Sequence, residues 1–297
     1  MGTVEFEVTN DGNDNFNPAA TAQGSFEAIK SDQSISVNGT LPTEISFDEG
    51  TYSFEGQFNT LSGDVSYVII SGPGSFSGEN MDIYNIIETG EVTVSAFAPS
   101  SEFYNRSLAT EFTFNVIKGD QEITFEGITG VDNVLNMVYD PEGYELNASA
   151  SSGLDVTFEV TQNAGMASID GNLLTVTAVG QFQITMSQSG NENYNAATDV
   201  VQTIAIQAAE QTISFAEVPD KLKTDDPFEI TASSSVGLDL TYTITQGNNI
   251  SLNDNVVTID PDAPAGSVTI QISSEGNAVY GPAPSVSLSF CISPVAP

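Results

Sequence analysis

Along most of the chain apolar and polar residues alternate in short runs. Val156-Thr157-Phe158-Glu159-Val160, Leu174-Thr175-Val176-Thr177-Ala178 and Phe182-Gln183-Ile184-Thr185-Met186 each put an apolar side chain at every second position. An extended segment with this pattern buries one face and wets the other. Between the runs lie Ser151-Ser152-Gly153, Asp170-Gly171-Asn172, Val179-Gly180 and Ser189-Gly190-Asn191-Glu192-Asn193. Such segments reverse a chain, because Gly reaches positive φ and Asn and Ser bond to turn amides. No apolar stripe of helical period and useful length competes with this reading.

The pattern repeats. Asp32-Gln33-Ser34-Ile35-Ser36-Val37, Asp120-Gln121-Glu122-Ile123-Thr124-Phe125 and Glu210-Gln211-Thr212-Ile213-Ser214-Phe215 open alike, 88 and 90 residues apart. A second landmark follows in mid-repeat at Gly63-Asp64-Val65-Ser66-Tyr67, Leu154-Asp155-Val156-Thr157-Phe158 and Leu238-Asp239-Leu240-Thr241-Tyr242. The third closes each repeat: Gly190-Asn191-Glu192-Asn193-Tyr194-Asn195-Ala196-Ala197 returns as Gly276-Asn277-Ala278-Val279-Tyr280-Gly281-Pro282-Ala283 and, more loosely, as Ser100-Ser101-Glu102-Phe103-Tyr104-Asn105. It also stands at Gly12-Asn13-Asp14-Asn15-Phe16-Asn17-Pro18-Ala19.

The organisation expected is therefore the last two strands of a preceding repeat in 1–30, then repeats in 31–118, 119–208 and 209–297, as an excerpt of a longer array. An independent β-hairpin extension is the alternative for the first segment. About seven short strands per repeat, closing on a long alternating pair, predict an all-β fold of tandem immunoglobulin-like antiparallel β-sandwiches. Ala28, Val116 and Ile206 precede Gln33, Gln121 and Gln211 by five residues each, with no Gly/Ser- or Pro-rich spacer. Sandwiches joined this closely predict an elongated, semi-rigid rod, each repeat adding roughly 30 to 40 Å.

Charge narrows the partners. Forty Asp and Glu against five Lys and Arg give a net charge of −35, which repels nucleic acid and anionic membrane surfaces. Salt or divalent cations lower the cost of such a charge, so an extracellular or cell-surface setting is expected. No apolar run is long enough to span a bilayer. With no His and a single Cys at position 291, His-assisted nucleophiles, His- or multi-Cys zinc sites and internal disulfides are excluded.

The remaining candidate chemistry is acidic, amide or aromatic. Asp11, Asn13 and Asn15 have calcium-loop spacing, but Phe16 stands where the loop needs Gly and no Glu follows at the twelfth position, so an EF-hand is rejected. A weaker cation reading puts Ca2+ at a domain junction, between Asp120 or Glu210 and Asp155 or Asp239; a solvated acidic end is the plainer alternative. Phe16, Tyr104, Tyr194 and Tyr280 of the closing landmark are expected to plug the loop onto the sandwich while its Asn residues satisfy turn amides, in preference to forming a ligand surface. A Lys-to-Asn isopeptide lock has no lysine to use in 33–117 or in 119–207, leaving Lys221 and Lys223 in an expected exposed loop. Cys291 is expected to face outward. Sequons begin at Asn38, Asn105, Asn147 and Asn249. A carboxylate pair of glycosidase type needs a cleft that small sandwiches do not supply, so no enzyme activity and no catalytic residue is assigned.

The residues resemble a known family. Gln211-Thr212-Ile213-Ser214-Phe215, Pro219-Asp220-Lys221, Ser234-Ser235-Val236-Gly237-Leu238-Asp239-Leu240-Thr241-Tyr242 and Gly276-Asn277-Ala278-Val279-Tyr280, with Ser151-Ser152-Gly153-Leu154 and the Gly190–Ala197 segment, are similar to the immunoglobulin-like MBG-type repeats of large bacterial surface proteins. The likeness is strongest over 119–292. It implies a non-enzymatic stalk or adhesin segment of a giant secreted protein, of the kind found in Bacteroidetes-like cell-surface and gliding-motility adhesins, whose partners are neighbouring repeats, other copies or surface ligands. Two alternatives stand beside it. One is a glycan- or protein-binding module centred on the first repeat, through Phe76, Tyr84, Phe97, Phe103 and Tyr104. The other is a self-assembling fibre or sheath subunit joined through the 1–30 hairpin.

Overall fold

The computed structural model describes residues 1–79, 81–126, 134–247, 250–262 and 264–294. Among them the regular structure is β, apart from short 3-10 turns at Phe47–Glu49 and Ala164–Met166. Two compact units form. The first holds Met1–Glu122 with Ser151–Leu154 and Ser189–Ala197; the second holds Ile123–Ala150, Asp155–Gln188 and Thr198–Pro297.

In the first unit the strands are β1 (Thr3–Val8), β2 (Ala22–Glu27), β3 (Ile35–Val37), β4 (Glu44–Ser46), β5 (Thr51–Ser53), β6 (Phe58–Thr60), β7 (Ser66–Ser71), β8 (Ser75–Ser77), β9 (Ile83–Asn85), β10 (Gly90–Phe97) and β11 (Thr110–Ile117). The second unit begins with β12 (Ile123–Phe125), β13 (Val134–Val138), β14 (Tyr144–Glu145), β15 (Ala148–Ala150), β16 (Thr157–Gln162), β17 (Ala167–Asp170), β18 (Leu173–Val176), β19 (Gly180–Ser187) and β20 (Val200–Gln207). It continues with β21 (Ile213–Phe215), β22 (Lys221–Leu222), β23 (Phe228–Glu229), β24 (Ala232–Ser234), β25 (Thr241–Gln246), β26 (Ile250–Asn253), β27 (Val256–Ile259), β28 (Gly266–Ser274) and β29 (Ala283–Ser293).

One pairing scheme is used three times. Sheets β4-β11-β10-β7, β13-β20-β19-β16 and β22-β29-β28-β25 are each matched by a three-stranded sheet, β5-β9-β8, β14-β18-β17 or β23-β27-β26, and by a short pair, β3-β6, β12-β15 or β21-β24. Among the described residues nine strands per set replace the seven expected. The opening strand divides so that its first half pairs in the short sheet and its second half runs parallel to the last strand, as β4 does with β11 and β13 with β20. The second strand divides in the same way, as when β14 pairs β18 and β15 pairs β12 across the interruption at Leu146 and Asn147. Strands that change sheet at a sandwich corner read as one run in sequence and as two in space. The parallel pair is the exception to otherwise antiparallel sheets.

Period two governs burial. In β10 Val92, Val94 and Ala96 are buried, in β19 Phe182, Ile184 and Met186, and in β28 Val268, Ile270 and Ile272. The core of the first set is aromatic: Phe54 meets the rings of Tyr52, Tyr67, Phe76, Phe112 and Phe114. The third set instead buries Ile230, Val257, Ile259, Val268, Ile270 and Leu288. Fully burying one such side chain contributes about 1.5–3 kcal/mol.

Candidate functional site

The closing landmark folds into the same loop each time. At Asn191, Oδ1 accepts the amides of Asn193 (2.8 Å) and Tyr194 (2.9 Å). Asn277 does the same for Val279 (2.9 Å) and Tyr280 (2.8 Å), and Asn13 for Asn15 (2.9 Å) and Phe16 (3.1 Å). Ser101 Oγ takes the role towards Phe103 (3.3 Å) and Tyr104 (3.2 Å). The Asn side chains thus satisfy turn amides, as the sequence suggests. Gly190 and Gly276 sit at φ +74° and +84°, where an added Cβ would come within 2.4 and 2.3 Å of the carbonyl oxygens of Tyr194 and Tyr280.

These loops hold the short connections between consecutive sets of strands. Gly119 donates its N–H to the Asn193 carbonyl (3.0 Å) and accepts the Asn195 N–H (2.9 Å). Ala209 bonds likewise to Val279 (3.0 Å) and Gly281 (2.9 Å), and Ser31 to Phe103 (2.9 Å) and Asn105 (2.8 Å). Two residues on, a buried glutamine completes the clamp. Gln33 Nε2 donates to the carbonyls of Asn105 (2.9 Å) and Pro99 (3.0 Å), Gln121 to that of Asn195 (2.6 Å), and Gln211 to that of Gly281 (2.8 Å). The amide oxygen of each glutamine accepts a hydroxyl: Thr60 (3.0 Å) at Gln33, Ser152 at Gln121 and Ser234 (2.8 Å) at Gln211. The glutamine itself is the functional residue that sequence reading passed over; its recurrence one residue after each opening acid was the available signal.

In two of the four loops the aromatic residue turns towards residues of the set before its own, whereas Phe16, expected to plug its loop in the same way, is 73% exposed. Within the first unit Tyr194 meets Phe47 edge-on at 5.2 Å, and Thr89 donates its N–H to Asn193 Oδ1 (3.2 Å) and its hydroxyl to the Glu192 carbonyl (3.1 Å). Lys118 Nζ donates to the Asn191 carbonyl at 2.5 Å. Gly119 has no room for a side chain, since an added Cβ would lie 2.8 Å from the backbone nitrogen of Asp48. Within the second unit Tyr280 meets Tyr139 edge-on at 5.3 Å, and Val179 donates its N–H to the Ala278 carbonyl at 3.1 Å. Thr89 and Val179 each directly precede the glycine that starts β10 or β19.

Other candidates are placed as follows. Asp120 Oδ1 accepts a hydrogen bond from Asn195 Nδ2 (2.9 Å), as Asp32 does from Asn105 (2.8 Å). Among the described residues no group of three or more His, Cys, Asp or Glu is arranged to hold a metal. Of the five aromatics named for a binding face, Tyr84 is fully buried and Phe76 stacks on Tyr67 in the core; only Phe103 is exposed. That expectation is corrected because the β8–β9 register sets Phe76 opposite Tyr84, which puts both rings on the face that packs into the core. Phe97 carries the Arg106 guanidinium 3.7 Å above its ring.

Burial pushes the Tyr67 hydroxyl up to about 12, with the charge of Asp82 adding to it, and pushes Tyr84 up to about 12. Both hydroxyls donate to backbone carbonyls, Tyr67 to Phe54 (3.0 Å) and Tyr84 to Pro73 (2.5 Å). Lys221 is not in an exposed loop: it lies in β22, held by the parallel pairing to β29, with its ammonium 4.4 Å from the Phe228 ring centre. Cys291 is exposed, and its N–H bonds to Asp220 Oδ1 at 2.8 Å. Asn38, Asn105 and Asn147 are exposed, whereas Asn249 lies outside the described residues. Among the described residues no helix is long and apolar enough to cross a membrane.

No family model and no curated protein matches the chain. Among solved structures it is similar to Drosophila N-cadherin EC1-3, at 10% identity over 87% of this chain and 99% of that chain, with a TM-score of 0.31. It is also similar to Sidekick-1 immunoglobulin domains 1-5, at 11% identity over 85% of this chain and 57% of that chain, with a TM-score of 0.33. For domains 1-6 of the surface layer protein SbsC the values are 14% identity, 100% of this chain and 45% of that chain, with a TM-score of 0.28. The fold class rests on the strand pairings described above.

Proposed function

We propose that the chain is a non-enzymatic stalk or adhesin segment of a large bacterial surface protein, an extracellular array of MBG-type repeats that holds a distal binding region away from the cell. Its repeats are 31–118, 119–208 and 209–297. The observation that carries this reading is the thrice-used clamp, in which Ser31, Gly119 and Ala209 are each held by two backbone hydrogen bonds to a closing loop and Gln33, Gln121 and Gln211 reinforce it. A connection whose own amide and carbonyl are both bonded has lost the rotational freedom that a flexible linker keeps. Polar groups are spent on joints, which favours a mechanical task over a chemical one.

Small-angle scattering tests the proposal. Dimensions of a stiff array that do not change with concentration are expected. A maximum dimension that fluctuates as in a hinged string would remove the spacer role, and growth with concentration would favour the self-assembling fibre.

A further inference from the structure

The β1–β2 hairpin is sorted by face. Val4, Phe6 and Val8 of β1 stand opposite Phe26, Gly24 and Ala22 of β2, while Thr3, Glu5 and Glu7 stand opposite Glu27, Ser25 and Gln23. Every residue of the first group is apolar or glycine, and the other face carries three glutamates. The apolar face is open: Val4 is 43% exposed, Phe6 50%, Val8 58% and Phe26 56%.

Three hairpins in the same chain share this geometry. Val4 opposite Phe26 corresponds to Val92 opposite Phe114, Phe182 opposite Ile204 and Val268 opposite Phe290. The loops agree as well: Asn13 donates its N–H to the Phe16 carbonyl (2.9 Å), Asn191 to Tyr194 (3.0 Å) and Asn277 to Tyr280 (2.9 Å). Yet Val92, Phe114, Val268 and Phe290 are all at most 3% exposed. The structure also shows what covers them. Phe114 meets Tyr84 of β9 in a T-shaped contact at 5.2 Å, and Phe290 meets Phe228 of β23 likewise at 5.6 Å. Along their edges β11 takes a parallel strand and β10 an antiparallel one.

We propose that β1–β2 is a docking element that completes a sandwich half of this same repeat type. Its partner is a polypeptide carrying the first seven strands of such a repeat, which offers an apolar three-stranded sheet with an aromatic side chain to Phe26 and two strands to the hairpin edges. The apolar face then becomes core, and the three glutamates remain in water. The inference deepens the repeat-array reading, but its test does not use scattering dimensions, so either can fail alone.

The test adds a polypeptide of residues 31–89, which supplies strands β3 to β9 and with them Tyr84, to the full 297-residue chain and follows amide hydrogen exchange. Exchange across Thr3–Val8 and Ala22–Glu27 is expected to slow by about 100-fold or more, as for strands moved from a frayed ribbon into a core. A chain with Val4→Ser and Phe26→Ser should melt at the same temperature as the unaltered chain, because both side chains are exposed, and should show no slowing with the added polypeptide. Unchanged exchange in the unaltered chain overturns the proposal, as does equal slowing in the double variant. Slowing that rises with the concentration of the chain alone would also overturn it, assigning the face to a second copy instead.

Discussion

At the residue scale the glutamines carry more than their number suggests. Gln211 is 2% exposed and is bonded through both ends of its amide, to Gly281 and to Ser234. Gln211→Ala strands the buried Ser234 hydroxyl and the partly buried Gly281 carbonyl together, a loss of about 1–3 kcal/mol that a urea midpoint will read. Gly190 makes a different demand, because at φ +74° any side chain is strained and its Cβ would strike the Tyr194 carbonyl. Gly190→Ala is expected to cost about 1–3 kcal/mol, and an unchanged thermal midpoint would refute the loop geometry. The tyrosines set an alkaline limit. Tyr67 and Tyr84 ionise near 12 when folded and near 10 when unfolded, so the folded state favours their neutral forms. Their contribution is intact below about pH 10 and is lost as pH climbs towards 12. Denaturant midpoints measured from pH 9 upward should fall over that window, with a shallower slope in Tyr84→Phe.

At the element scale the closing loop joins two tasks. Its backbone ties the connection between sets of strands, and its aromatic ring packs on residues of the preceding set, Tyr194 on Phe47 and Tyr280 on Tyr139. Tyr280→Ala removes an edge-on aromatic pair worth about 0.5–1.5 kcal/mol beyond its buried area. Lower stability is expected, and a variant that melts unchanged would show that the ring is not structural. The strands around the loop were largely legible. Alternation marked β16 and β19, and the turn residues marked their ends, because pleat and turn conformations are local properties. The division of the first two strands of each set was hidden: whether a run pairs with one sheet or changes to the other depends on partners some tens of residues away. Lys221 was misplaced for the same reason, since its strand exists only through the distant β29.

At the scale of the whole molecule the charge of −35 dominates. Raising salt from about 0.01 M to about 1 M shortens the screening length from roughly 30 Å to 3 Å, so self-repulsion weakens and the thermal midpoint should rise. Chelating divalent cations at constant ionic strength should leave that midpoint unchanged, because the acid at Asp120 is engaged by Asn195 and not by a cluster of carboxylates. A midpoint that drops on chelation and returns only with calcium would restore the cation reading.

Strand content, the spacing of the repeats and the turn chemistry of the closing loop follow from the sequence alone, since each depends on residues within a few positions of one another. Which side chains meet was decided only in three dimensions. Phe76 and Tyr84 look like neighbours of Phe103 on a binding face and lie instead in the core, while Val4 and Phe26 repeat a buried pair and stand in water. Periodicity says which face of a strand is apolar; whether anything covers that face is settled by the distant segments that pack against it.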